Sequence, residues 1–460
     1  MSFAYTLYNS ALLAVSPLVG AYLAQRYVSG KSRPGWRERW GHLPEAIKWI
    51  PDSRPRLWFH AVSAGEVVAA VPILSEVRKR LPEFDIFLSV LTPAGHEMAQ
   101  QQATPYIDGL FYFPFDLPWV VKRVVRALRP KVFVALESEM WPNLLYHLKK
   151  AGAFTLTVNG RISDKNFRRS QKWGGALQRW MLSNIDCLMM QSAMDAERIR
   201  TLGNLREPGR VTVVGNSKFD QEVHRLTGAE VQRLRRELNL DLRSPIFIAG
   251  STRSNEEERE VLRAYEIVLE SFPNLSLIIA PRQLERASET VANMISFGLN
   301  PVLRTQTQSV ESLPTQHLVL DTMGELANVY AVADIAFVGN SFPPVVKGGG
   351  QNLLQPLAHG KPVLFGPLTS TIRSEVALVT EAQVGQVVNT GEELAEALLN
   401  LLRKPLLRKE IEGHALDLIS ANRGVSAKYA DAITEVAHRA PYKRITANTP
   451  HPLSVERDKP

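Results

Sequence analysis

Arg56-Leu57-Trp58-Phe59-His60-Ala61-Val62-Ser63-Ala64-Gly65-Glu66 decides how the rest of the chain is read. Residues 56–62 are dense in apolar and aromatic side chains, as a short buried strand must be. Ser63-Ala64-Gly65 turns the chain. From Val67 to Leu81 apolar residues recur at helical spacing, with Lys79 and Arg80 in the last turn and Pro82 just beyond. Glu66 therefore falls at the tip of a strand-to-helix turn. In an open α/β sheet that is where ligands bind. A carboxylate there serves either as a helix cap that complements the dipole or as a general base. The segment alone leaves both roles open.

The same pattern repeats outward from this point. Apolar runs at 86–91, 110–115, 131–136, 154–158, 187–190 and 211–214 alternate with helical stretches. A second set occupies 246–249, 275–280, 302–303, 318–320, 335–338 and 362–365. Alternation of this kind predicts parallel sheets covered by helices on both faces. Gly215-Asn216-Ser217-Lys218-Phe219-Asp220 lies between the two sets and reads as a linker. The expected domains are a hydrophobic anchor helix at 1–30, a Rossmann-like domain at 31–215 and a second at 216–440. A tail at 441–460, rich in Pro, Thr and charge, is expected to be disordered.

At 460 residues, two domains are the natural division, each large enough for its own core. The formal net charge of +8 suits anionic partners such as phosphates, nucleotides or an acidic membrane surface. No nucleic-acid-binding signature accompanies it. The single cysteine, Cys187, excludes an intrachain disulfide and a cysteine metal cluster. Phe3 to Tyr27 is the most apolar segment, with no charge before Arg26. Its length is near the roughly 20 residues that cross a bilayer. It lacks the basic start of a signal peptide. Arg26, Lys31, Arg33, Arg37 and Arg39 follow closely and favour a cytoplasmic position for what comes next. Trp36, Trp40 and Trp49 suit a membrane interface.

The second half carries the polar, glycine-rich strand ends. Ala249-Gly250-Ser251-Thr252-Arg253-Ser254 leads into an acidic helix from Asn255 and offers amides for a phosphate, or simply a helix cap. Ala280-Pro281-Arg282-Gln283-Leu284-Glu285-Arg286 places two arginines four apart, as a phosphate clamp or as a solvated helix end. Lys347-Gly348-Gly349-Gly350-Gln351-Asn352 has three consecutive glycines, which permit close backbone approach to a ligand. Neither a Walker A loop, a nucleophile elbow nor a D-x-D pair is present.

Seven ordered stretches resemble the 3-deoxy-D-manno-octulosonic acid (Kdo) transferases of bacterial lipid A assembly. They are 60–66, 137–143, Asn159-Gly160-Arg161, 215–220, Ala280-Pro281-Arg282, Asp321-Thr322-Met323-Gly324-Glu325-Leu326 and 348–367. The resemblance is collinear from the N-terminal anchor to about residue 430. It implies an α/β protein of the GT-B fold: two Rossmann-like domains facing across a cleft, an N-terminal membrane-anchoring helix, and a C-terminal helix crossing back. It implies an inverting transferase that moves Kdo from CMP-Kdo to a lipid A precursor at the cytoplasmic side of the bacterial inner membrane. Neither a metal, a cofactor nor a nucleic-acid partner is implied.

By the same resemblance Glu66 is the catalytic base. The donor side comprises Lys218, Ser251, Thr252, Arg282, Met323, Gly324, Glu325, Gly348, Gly349, Gly350, Asn352 and Gln355. The acceptor side comprises Ser63, Gly65, Glu137, Glu139, Asn159 and Arg161, with a structural role for the two glutamates as the alternative. The family pattern has histidines where this chain has Gln283 and Gln351, and a glutamate where it has Gln355. The alternative reading is a GT-B transferase with another nucleotide-activated sugar or acceptor, or an inactive nucleotide-sugar-binding membrane scaffold.

Overall fold

The computed structural model describes residues 3–30, 33–48, 54–137, 139–221, 223, 225–309, 314–343 and 349–439. The expected tail at 441–460, Trp49, Lys31 and Gly348 lie outside the described residues. Two compact units divide the chain. One holds residues up to 161, 169–214 and those from 426 onward; the other holds 162–168 and 215–425.

The first unit is built on seven parallel strands: β1 (Arg56–Ala61), β2 (Asp85–Val90), β3 (Gly109–Tyr112), β4 (Val132–Leu136), β5 (Phe154–Gly160), β6 (Cys187–Met190) and β7 (Val211–Val213). Their order is β3-β2-β1-β4-β5-β6-β7. The second unit repeats the plan with β8 (Ile246–Thr252), β9 (Ser276–Pro281), β10 (Val302–Leu303), β11 (His317–Val319), β12 (Ile335–Val338), β13 (Val363–Phe365) and β14 (Gly385–Val387). Here the order is β10-β11-β9-β8-β12-β13-β14. In each sheet the first strand sits where the order reverses, between β2 and β4 or between β9 and β12. That topological switch point opens a crevice at the carboxyl ends of the strands. Glu66 follows β1, and Arg253 follows β8.

The apolar runs lack a simple alternation because both faces of each sheet are covered. In β8, Phe247 and Ala249 belong to one apolar cluster and Ile246 and Ile248 to another. In β9, Leu277 and Ile279 join the first cluster, Ile278 and Ala280 the second. Every residue of β1 is buried. Strand β14 was not expected from the sequence. Gly385-Gln386-Val387 is a short, half-exposed edge with neither an apolar run nor an alternating one.

The helix Val425–Arg439 packs with the first unit, although its place in the chain assigns it to the expected 216–440 domain. Tyr429 is fully buried and hydrogen-bonds the backbone of Asn159. Arg80 Nε donates to Asp431 Oδ1 at 2.8 Å. The N-terminal segment forms one helix, Phe3–Val28, long and apolar enough to cross a membrane. Only Ala4 and Tyr5 of it are buried, and Leu13, Leu18 and Val28 are each more than 70 % exposed. Trp36 and Trp40 make ring contacts with Phe115, with centroids 5.8 and 5.3 Å away. Arg39, one of the basic residues that follow the apolar segment, is committed to the protein interior. It is buried, donating to the Leu91 carbonyl at 2.6 Å with its guanidinium over Tyr112.

Candidate active site

In the first unit the helix Ala64–Arg80 begins three residues earlier than its apolar spacing suggests, which places Glu66 in its first turn. Glu66 Oε2 accepts the Val62 N–H at 2.6 Å, and Oε1 lies 3.4 Å from the Ser63 hydroxyl. The capping role is thus real: the carboxylate reaches back over the turn. It is not the whole account. Burial, with the carboxylates of Glu137 and Glu139 close by, pushes the Glu66 carboxyl up to about 8. The Val62 N–H and Arg161 pull the other way. A cap alone needs no such company, and a base that gains or loses a proton near neutrality is what proton abstraction requires.

Glu137 leaves β4 with φ +57°, a left-handed conformation that a non-glycine residue adopts only where its surroundings enforce it. Its Oε2 accepts from Arg161 Nε at 2.6 Å. Glu139 is pushed up to about 7 by burial, with the Glu137 carboxylate adding to the rise. Asn159, also left-handed, sits at a register shift between β5 and β6, and its carbonyl accepts from Gln191 Nε2 at 3.0 Å. The structure therefore brings Ser63, Glu66, Glu137, Glu139 and Arg161 together, with Asn159 fully buried two residues before Arg161. Gly65 is exposed in the same turn. His60, in the same stretch, is different in kind. It is fully buried, stacked on Phe113 with 3.9 Å between centroids, and held down to about 3 by burial, so it is neutral packing. Gln191 and Tyr429 were missed, because each is recruited from far along the chain.

In the second unit, a register shift between β8 and β9 puts Ser251 at φ +60°. Bulges of this kind re-aim side chains at strand ends. Ser251 stays half-exposed and Arg282 exposed, with the Arg282 N–H donating to the Thr252 carbonyl at 2.8 Å. Thr252 behaves differently from its expected role as a phosphate ligand. It is fully buried, and its hydroxyl donates to Glu258 at 3.0 Å. Glu258 also accepts from Arg286 at 2.9 Å, so Arg286 is the inner partner of a core carboxylate rather than half of a phosphate clamp.

The glycine stretch also reads differently in three dimensions. Gly349 and Gly350 are buried, and both their amides donate to the Asn340 carbonyl, at 3.0 and 2.9 Å. A Cβ on Gly350 would lie 2.3 Å from Ile372, and one on Gly349 2.7 Å from Thr371. The close approach these glycines permit is that of the neighbouring loop. Asn352 Oδ1 accepts from the Leu354 N–H at 3.0 Å, capping the helix Leu354–Ala358 that carries half-buried Gln355. Met323 is 67 % exposed and Gly324 exposed beside it. Glu325 accepts two bonds from Arg304, each 3.3 Å. Lys218 lies in the turn Ser217–Asp220, its N–H donating to Asn216 Oδ1 at 3.0 Å.

One residue that organises these loops went unnoticed in the sequence. Glu257 is fully buried and accepts four backbone N–H groups: Arg253 and Asn340 on Oε2, Ser341 and Phe342 on Oε1, at 2.8 to 3.2 Å. It ties the end of β8 to the end of β12. In the sequence it is one of three glutamates at an ordinary helix start. Among the described residues, no cluster of His, Cys, Asp and Glu is arranged to hold a metal ion.

Comparison with known proteins agrees with this architecture. Residues 34–221 match the family model described as 3-deoxy-D-manno-octulosonic-acid transferase (kdotransferase). A 3-deoxy-D-manno-octulosonic acid transferase of Haemophilus influenzae is 31 % identical over 94 % of this chain and 98 % of its own. That of Chlamydia muridarum is 29 % identical over 86 % of this chain and 89 % of its own. Among solved structures, a glycosyltransferase from Rickettsia africae shares the fold, with a TM-score of 0.58 at 11 % identity, covering 85 % of this chain and 100 % of the other. Full-length similarity above 30 % identity, together with the matched N-terminal model, establishes that this chain belongs to the 3-deoxy-D-manno-octulosonic acid transferase family.

Proposed function

We propose that the protein transfers Kdo from a CMP-activated donor to a lipid A precursor, with Glu66 as the general base. The observation that carries this reading is the Glu66 carboxylate at the switch point of the first sheet, raised to about 8 by burial and by Glu137 and Glu139. The acceptor hydroxyl loses its proton to Glu66 as it attacks the anomeric carbon from the face opposite the departing CMP, so the configuration inverts. CMP leaves with its negative charge, which calls for donors fixed before the reaction. Ser251 and Arg282, at the ends of β8 and β9 and open to solvent, would supply them in the second unit. Asn352, Met323, Gly324 and Glu325 would line the cytidine and sugar, with Gln355 replacing a charged ribose contact by a neutral one. Lys218 would add positive charge near the phosphate. Thr252, Gly349 and Gly350 support the loops from within.

The exposed apolar helix Phe3–Val28, with Arg26 in its last turn and Arg33 and Arg37 after it, supports attachment to the cytoplasmic face of the inner membrane, where a lipid acceptor is reached. The decisive experiment measures transfer from CMP-Kdo, generated in situ, to a tetraacylated lipid A precursor. Wild type and Glu66→Ala are compared at equal folded yield. Transfer by wild type that collapses in the variant while CMP binding persists supports both the activity and the base. Wild type that binds CMP without transfer points to another sugar or acceptor.

A further inference from the structure

The start of the apolar helix is attached to the protein in a way that anchoring does not require. Beyond Asn9 no residue of the helix is buried. Within its first two turns, however, Tyr5 stacks on Tyr146 with 4.0 Å between ring centroids. The Tyr8 hydroxyl donates to Asp116 Oδ2 at 3.1 Å, and Asn9 Nδ2 donates to Asn143 Oδ1 at 3.0 Å.

Asp116 and Asn143 form one device. The helix Pro142–Ala151 starts after Trp141, which offers no side-chain cap. Its first free amides need acceptors. Asp116 supplies them from elsewhere in the chain, accepting the Asn143 N–H at 3.0 Å and the Leu144 N–H at 2.9 Å. Asn143 Nδ2 returns a bond to the Asp116 carbonyl at 2.6 Å. Both residues are buried. Immediately before this helix runs Glu139-Met140-Trp141, so whatever fixes the first turn of the helix also fixes the end of this segment. The apolar helix is thus bonded to the cap of the helix that begins three residues after Glu139, one of the three clustered carboxylates.

We propose that Tyr8 and Asn9 are positioning residues: through Asp116 and Asn143 they fix the Glu139–Trp141 segment, so that the anchor helix is a working part of the acceptor site. This rests on the reading of Glu66 and its neighbours as that site. An extended, purely apolar anchor would use none of these polar contacts, whereas a helix that must hold its domain at a set position against the lipid surface has reason to make them.

The test uses the full chain in detergent micelles and compares wild type with the double variant Tyr8→Phe, Asn9→Ala. Expected are a fall of about tenfold in kcat/KM for the lipid acceptor and a shifted pH profile. Co-sedimentation with phosphatidylglycerol–phosphatidylethanolamine vesicles and CMP binding should be unchanged. Unaltered acceptor kinetics and pH profile would overturn the proposal, as would a loss explained wholly by weaker vesicle binding. Hydrogen exchange keeps the test independent of the activity. Faster exchange at the Asn143 and Leu144 amides in the double variant is expected even if wild type transfers no Kdo, and unchanged protection there overturns the proposal. Absence of transfer by wild type bears only on the function assigned above.

Discussion

Arg161 Nε lies 2.6 Å from Glu137 Oε2, and this ion pair acts on a Glu66 carboxyl that burial has already raised. Glu137 raises the Glu66 carboxyl and Arg161 lowers it. As a base, Glu66 works only when deprotonated, so kcat/KM should rise with pH through about 8. Glu137→Gln removes the nearby negative charge, and the rising limb should move to lower pH by roughly one unit. Arg161→Gln removes the favourable charge, and the limb should move to higher pH. Profiles of kcat/KM in the two variants check the opposite signs.

Glu66→Gln should separate chemistry from stability. Loss of a positioned base lowers kcat by about 10²- to 10⁴-fold. The glutamine oxygen can still accept the Val62 N–H, so the turn survives. The folded carboxyl titrates near 8 against an ordinary 4.5, so folding favours its protonated form. Stability is therefore lost progressively as pH rises from the unfolded value to the folded one. The variant lacks this loss, and at pH above 8 it should be more stable than wild type by on the order of 5 kcal/mol, with no gain below about 4.5. Urea unfolding at both ends of that range reads the difference.

All the strands but the edge strand β14 were legible, because the sheets are covered on both faces and a central strand is then an apolar run such as Ile246–Ala249 or Val132–Leu136. Glu66 was legible as a strand-end carboxylate, but its company was not. Glu137 reaches it only through a left-handed residue after β4, and no local propensity announces a non-glycine at φ +57°. The glycines at 349 and 350 announce a close approach, and sequence cannot say what approaches; here it is Thr371 and Ile372. Thr252 and Glu258 look like surface residues of a helix start, yet the turn after β8 folds both into the core.

Thr252 and Arg282 should therefore part company under mutation. Thr252→Val removes a buried hydroxyl and leaves Glu258 one donor short, costing about 1–2 kcal/mol in stability. The KM for the CMP-activated donor should stay within about twofold of wild type once folded yield is matched. Arg282→Ala leaves stability nearly unchanged, because the side chain is exposed. Its donor KM should rise about tenfold if the guanidinium meets the phosphate. Thermal melts and donor titrations on the same preparations distinguish the two.

Glu257→Gln tests whether the β8 and β12 strand ends act as one unit. Four N–H groups converge on two carboxylate oxygens. A glutamine offers one acceptor oxygen and turns an amino group toward donors, orphaning two amides. The expected cost is about 2–4 kcal/mol, with a higher donor KM in the protein that remains folded. An unchanged donor KM beside lowered stability would limit Glu257 to a structural role.

Gly350 and Gly152 give the last contrast, since both adopt a left-handed backbone, at φ +82° and +80°. Gly152 has no heavy atom within 4 Å of the position a Cβ would take, so Gly152→Ala reads the conformational cost alone, about 1 kcal/mol. At Gly350 the added methyl would also lie 2.3 Å from Ile372 Cδ1 and 2.6 Å from Cγ1. Ile372 is itself largely buried and must shift, which adds about 1–3 kcal/mol. The Gly350 N–H is bonded to the Asn340 carbonyl, so the displacement passes directly to the end of β12. Gly350→Ala should then unfold at clearly lower urea than Gly152→Ala and bind the donor more weakly, while Gly152→Ala binds as wild type does. Equal midpoints for the two variants would mean that Ile372 yields at no cost, and the packing account of this glycine stretch would fail.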